Sequence, residues 1–421
     1  MSICQRMIGR CAMLALCAAI VWPAAADWYQ FQGENRDGTS PETGLMRSWP
    51  ESGPKVLWTF PLGEGYGGPA VRDGGVYVLD RVDKQKDVLR CIDLETGEER
   101  WHYAYDAPGN VGHGGSRTPP TVDEDYVYSV GMMGHFTCVD RQTHQPVWQK
   151  NLLTDFGLGK PSWGVAQAPS IHGNLVIVAA QSKEAIIVAY DKVTGDIVWR
   201  SEGRAGMGYS TPVITTLAGV EQAVTVGGAG RVISVAVEDG RTLWKYEGWR
   251  CKIPIPYPTP LPGDRLFITG GYNAGSAMIR IERDGGEFRV KELFKTDACG
   301  SQIHQPLFFE DHLYVNSNSN ERQDGMMCLD LDGNVLWQTK DKDGLPLFER
   351  GNLLFVDGMI LNLDGKTGWL HLIEPSPEGY KELARAHVLD GKQMWSPMAL
   401  SHGKLLVRDQ EQMKCLDLRS P

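Results

Sequence analysis

The sequence predicts an all-β fold: an eight-bladed β-propeller of four-stranded antiparallel blades. Three observations carry the prediction. The first is an eleven-residue motif, CIDLETGEERW at 91–101, which returns as CVDRQTHQPVW (138–148), AYDKVTGDIVW (189–199) and SVAVEDGRTLW (234–244), and one residue shorter as CLDLDGNVLW (328–337). Self-similarity at a fixed spacing is the mark of a repeat architecture. The second is what precedes each copy. Stretches such as PAVRDGGVYVLD, PTVDEDYVYSVG and PLFFEDHLYVNS open on Pro, turn at Gly or Asp, and run into β-branched or aromatic residues, which is the pattern of a hairpin. The third is composition: 49 glycines and 24 prolines in 421 residues supply turns for many short strands.

The motif adds a third strand, a Thr-Gly turn and a fourth strand carrying Trp, so each repeat of 43–51 residues makes one blade. The positions equivalent to its Asp fall at Asp93, Asp140, Asp191, Ala236, Ile281, Asp330, Ile373 and Asp417. The fifth and seventh copies lack Trp and should pack more loosely. The last copy, CLDL at 415–418, stops before any Trp; KVLWTF near the start supplies that strand. The N- and C-terminal strands should therefore pair and close the ring, leaving no free edge. In this arrangement Trp58, Trp101, Trp148, Trp199, Trp244 and Trp337 are structural. Each covers apolar surface between wedge-shaped blades, beside a small residue and a turn glycine.

Three segments follow: a signal peptide over 1–26, an N-terminal extension over 27–54, and the propeller over 55–421. Arg6 and Arg10 precede the apolar MLALCAAIVW, then Pro23 and Ala24–Ala26. That order predicts export to the periplasm or extracellular space, with cleavage between Ala26 and Asp27. The apolar run is short for a bilayer span, so no transmembrane segment is expected in the mature protein. Leu16 occupies the small-residue position of a lipobox ending at Cys17. Net charge is −10 without a basic run, which excludes a nucleic-acid partner.

Cys91, Cys138, Cys328 and Cys415 share one repeat position and act as small hydrophobes. Cys251 and Cys299 stand in successive loops; a disulfide and two free thiols both stay open.

The small-x-Asp-x-x-Thr-Gly-x-x-x-Trp repeat resembles the tryptophan-docking motif of the pyrroloquinoline quinone (PQQ)-like β-propellers, over roughly 55–418. DWYQFQGENRDGTSPETGL (27–45) is similar to the start of secreted PQQ-like proteins of planctomycete-type bacteria. The resemblance implies either a BamB-type scaffold that docks protein partners or a quinoprotein dehydrogenase. The latter implies PQQ on a Trp floor beneath a Cys-Cys disulfide, Ca²⁺ on Glu and Asn, and an Asp base. This sequence has no Cys-Cys dipeptide and no C-x-x-C-H. No cofactor and no catalytic or metal-ligating residue is therefore expected, PQQ with calcium being the alternative. Gly63–Gly68 matches G-x-G-x-x-G but lies between strands, whereas a dinucleotide site must open a helix; it reads as a loop.

The remaining candidate is the funnel formed by loops entering the innermost strands. GEGYGG, GHGGSR, KPSWG, GMGYS, RCKIPIPYP, CGSQIH and KQMW contribute Tyr66, Arg117, Trp163, Tyr209, Lys252, His304 and Trp395 respectively. Converging aromatic, cationic and hydrogen-bonding groups suit a small anionic or planar ligand. The expected role is a non-enzymatic scaffold or binding protein with protein partners, the alternative being a small-molecule or quinone-binding protein that uses the funnel.

Overall fold

Short strands bounded by Gly and Asp turns, buried almost throughout except on the outermost position, form among the described residues eight antiparallel sheets arranged as an eight-bladed propeller. The computed structural model describes residues 27–319 and 322–420; the signal-peptide assignment falls on 1–26, outside them. Blades are numbered here by their innermost strands: Ala70–Arg72, Thr121–Val122, Ser170–His172, Val213–Leu217, Thr259–Leu261, Leu307–Phe309, Leu353–Val356 and Ala399–Ser401. Each blade then steps outward through antiparallel neighbours.

Blade 8 is closed as the sequence indicates. Lys55–Pro61 pairs with Gln412–Asp417, placing Lys55 opposite Asp417 and Trp58 opposite Cys415. In all eight blades the outermost strand pair shifts register beside this small-residue/Trp position. A bulge there bends the strand and turns the large side chain towards the next blade.

The motif tryptophans work between blades. Trp58 Nε1 donates to Leu94 O of blade 1 at 2.9 Å, Trp148 to Lys192 O at 3.2 Å, Trp199 to Val237 O at 2.9 Å and Trp337 to Ser376 O at 2.8 Å. The turn glycine lies against the ring: at Gly97, with φ +76°, a Cβ would come within 2.6 Å of Trp58. Two tryptophans depart from this pattern. Trp244 donates to Gln222 Oε1 of its own blade. Trp101 stacks on His144, which replaces the turn glycine at φ 60°, and a polar groove of about 740 Å³ opens beside the pair.

Register corrects two alignments. Met278 pairs with Phe294 and Leu372 with Ala384 just before their shifts. The Asp-equivalent positions of blades 5 and 7 are therefore Arg280 and Glu374, one residue from Ile281 and Ile373. Phe294 takes the tryptophan's place, covering Gly333 of blade 6; Ala384 leaves that slot in blade 7 unfilled.

Cys251 and Cys299 are buried free thiols in separate apolar clusters. Burial pushes Cys251 up to about 11 and Cys299 to about 12, so neither is a reactive thiolate.

Residues 27–54, read as an extension, are built into the propeller. The main chain at Trp28 and Tyr29 accepts hydrogen bonds from Val71 and Val122, on the innermost strands of blades 1 and 2. Arg36 donates to Ile171 O of blade 3 at 3.0 Å. Thr39–Ser40 adds a parallel fifth strand to blade 7 against Phe355–Val356, and Glu42 accepts from His402 and Gly403 of blade 8. The segment thus crosses the central channel as a plug.

Candidate functional site

Above the plug, where the loops descend into the innermost strands, lies a cavity of about 400 Å³. Its walls are set by buried anchors. The GEGYGG loop wraps the Arg408 guanidinium, which is 1% exposed and donates to Gly63 O at 2.9 Å and Gly67 O at 3.2 Å. A Cβ on Gly65 would approach Arg408 Nη2 to 2.9 Å. Gly65 therefore serves close approach to a cation, while Gly63, Gly67 and Gly68 lie against the main chain of Arg81, Thr118 and Pro397; the loop so held fixes Tyr66. A second anchor holds the next loop. Arg81, paired with Asp87 at 2.6 Å, donates through Nη2 to Ala107 O at 2.8 Å and Gly109 O at 2.6 Å. From there the chain runs on to His113 and Arg117.

All seven funnel residues expected from sequence line this one cavity: Tyr66, Arg117, Trp163 and Tyr209 with Lys252, His304 and Trp395. They do not play equal parts. Tyr66 and Trp395 stack at 5.6 Å with planes 25° apart. Arg117 packs on the Tyr66 ring at 5.2 Å and Arg350 on the Trp395 ring at 4.9 Å. These rings are engaged by one another and by cations, so they form a wall. Trp163 meets only the edge of this cluster, through His113 at 5.4 Å, and stands as the ring most available to a planar ligand.

His304 is an internal strut. Its Nε2 lies 3.0 Å from Trp395 O, which can only accept, so Nε2 carries the proton. Nδ1 then accepts from Asn352 Nδ2 at 3.3 Å. Burial lowers its pKa to about 4, so the ring is neutral and both nitrogens are occupied.

Charge is one-sided. The lining contains Arg117, Lys252 and Arg350 and no Asp or Glu. Arg350 pairs with Glu349 behind the wall. Arg117 donates to the carbonyls of Gly112, at 2.6 Å, and His113; its Nε has no partner, and burial lowers its pKa. The lining supplies neither carboxylate nor asparagine for the Ca²⁺ implied by a quinoprotein. Among the described residues no group of three His, Cys, Asp or Glu side chains could hold a metal. The cavity therefore does not fit PQQ held through calcium.

The sequence reading did not single out Phe31, His113, Tyr257, Tyr272 or Arg350, all of which line the cavity. His113 and Tyr257 lay within stretches already marked as loops. Arg350 sits in the loop entering blade 7, LPLFERGN, which the sequence did not mark among the funnel loops. Phe31 comes from the plug, and nothing local in the sequence brings it there.

The family model described as outer membrane protein assembly factor BamB matches residues 85–250. The dehydrogenase subunits of alcohol dehydrogenase (quinone) from Komagataeibacter europaeus and from Gluconacetobacter polyoxogenes are each 29% identical over 161 residues. That match covers 35% of this chain and 21% of those subunits, so the chain spans about a fifth of their length. A europium-containing methanol dehydrogenase superposes with a TM-score of 0.65 at 13% identity, over 91% of this chain and 89% of the other. BamB from Moraxella catarrhalis does so at 0.61 and 16%, over 87% and 98%. Such identities speak for the fold. Among the described residues no helix is long and apolar enough to cross a membrane. The fold is that of these β-propellers, and over 85–250 the chain is similar to the BamB-described family.

Proposed function

We propose that this protein is exported and that its central cavity binds a small organic anion without turning it over. What carries the reading is Arg117, a half-buried guanidinium on the Tyr66 ring with no ion pair among the described residues, in a lining without a carboxylate. Placing a cation away from water without a counter-charge is costly, and an anionic ligand offsets that cost. Export rests on the basic, apolar and Ala-rich order of residues 1–26. No side chain is assigned a catalytic role.

The test is calorimetric titration of the mature protein with two anions, 8-anilinonaphthalene-1-sulfonate and PQQ, each with and without Ca²⁺. Saturable binding of 8-anilinonaphthalene-1-sulfonate without calcium, lost in the Arg117→Ala/Trp163→Ala variant, is expected. PQQ binding that requires Ca²⁺ would favour the oxidoreductase reading instead, and no heat from either anion would overturn the proposal.

A second reading, docking of a protein partner, is favoured by exposed Val193, Ile197 and Val198 at 45%, 48% and 54% on blade 3, within the stretch that matches the BamB-described family. An apolar outer edge can accept a partner strand. Ile197→Lys should weaken capture of such a partner and leave anion binding unchanged.

A further inference from the structure

The cavity lining brings cations and apolar groups together. Its cations include Lys252, exposed and in no ion pair among the described residues, and Arg117. Arg117 lies two residues ahead of Pro119 on the chain descending to Thr121. Pro119, Ile255, Phe31 and Tyr257 supply apolar lining, beside the polar Gln302 and Gln305. Phe31 belongs to the plug and packs edge-on against Tyr257 at 5.8 Å. The Tyr257 hydroxyl is already spent on Arg36 O, so that ring offers a ligand chiefly its apolar surface.

Resting on the anion-binding reading above, we infer that the ligand class is an amphipathic monoanion, a carboxylate on a compact apolar or aromatic body, bound with its charged head between Arg117 and Lys252. A polyanion without an apolar body leaves the surface of Phe31, Ile255 and Pro119 unused. A guanidinium and an ammonium give one carboxylate charge-assisted hydrogen bonds. The apolar body contributes by area removed from water. A volume of about 400 Å³ accommodates a bicyclic ring system and lies towards the small end of ligand cavities.

Three probes separate the terms in calorimetric titrations of the mature protein: 1-naphthoate (body and charge), 1-naphthalenemethanol (body alone) and citrate (charge alone). The expected order is naphthoate bound at least about tenfold tighter than naphthalenemethanol, as one charged hydrogen-bonded contact provides, with citrate giving no saturable heat. Arg117→Gln should reduce naphthoate affinity about tenfold and leave naphthalenemethanol unchanged. Lys252→Gln, on an exposed side chain that cannot unfold the protein, should act in the same direction. Citrate or PQQ bound in preference to naphthoate would overturn the amphipathic assignment while anion binding stands. Naphthalenemethanol equal to naphthoate, or no binding by any probe, would overturn both.

Discussion

The indole of Trp101 lies flat on the imidazole of His144, ring centroids 4.7 Å apart and planes 16° from parallel. Elsewhere a glycine occupies this turn, as at Gly97, Gly195 and Gly240, all with positive φ. A non-glycine residue held in the left-handed region costs about 1–2 kcal/mol, which the stack partly offsets. His144→Gly should leave stability unchanged or raise it by up to about 1 kcal/mol, whereas Gly97→Ala should lower it by about 2–3 kcal/mol through strain and collision with Trp58. Guanidinium unfolding of both variants checks the contrast, and a destabilised His144→Gly protein would count against this account of the turn.

The seam strand Lys55–Pro61 makes a second prediction. Trp58 is 8% exposed and donates across to blade 1. Trp58→Ala should cost about 3–5 kcal/mol. Trp369, 38% exposed, tests the contrast, because Trp369→Ala should cost under about 1 kcal/mol. A protein lacking residues 27–61 should lose cooperative unfolding altogether, as read by circular dichroism against denaturant.

Acid sensitivity follows from His304. Burial lowers its pKa from 6.5 to about 4, so below pH 6.5 the unfolded chain binds the proton more readily than the folded one. Stability should fall as pH drops from about 6.5 to about 4, by about 3 kcal/mol in total from this group. His135 is lowered too, again first by burial, and acts in the same direction. His304→Gln should flatten this limb of a stability–pH profile; an unchanged slope would remove His304 as its cause.

The Arg81–Asp87 pair is buried on both sides, with side-chain exposures of 2% and 0%, and it holds the segment leading to Arg117. Asp87→Asn should cost about 3–5 kcal/mol by leaving the guanidinium without its counter-charge. Limited proteolysis should then cut first near Gly109. Cleavage distributed evenly over the chain would show that the pair stabilises the blade without fixing the loop.

Blade number, ring closure and the docking at Trp58, Trp148, Trp199 and Trp337 were legible because the local motif recurs from blade to blade. Register at Arg280 and Glu374 was not, since a bulge slips by one residue without altering the apolar pattern on either side. The cavity was half legible. Loops that carry Gly beside a large side chain announced Tyr66, Arg117 and Trp163. The division of labour among them did not show, because stacking of Tyr66 on Trp395 joins residues 329 positions apart in sequence. Phe31 and Arg350 were missed because the plug and the loop entering blade 7 reach the funnel only through tertiary placement.

The plug also sets an order of events. Thr39 and Ser40 need Phe355 and Val356, and Glu42 needs His402 and Gly403. Preceding every blade in the sequence, this segment is thus among the last to reach its final place. Blades can form in succession as hairpins of low contact order, but the hub stays unsealed until almost the whole chain is out. An emerging polypeptide therefore carries Trp28 and Phe31 unburied for most of its synthesis, a window of exposure during which a nascent chain is open to aggregation. Under the export proposed above, that delay would keep the ring from locking before passage across the membrane is complete.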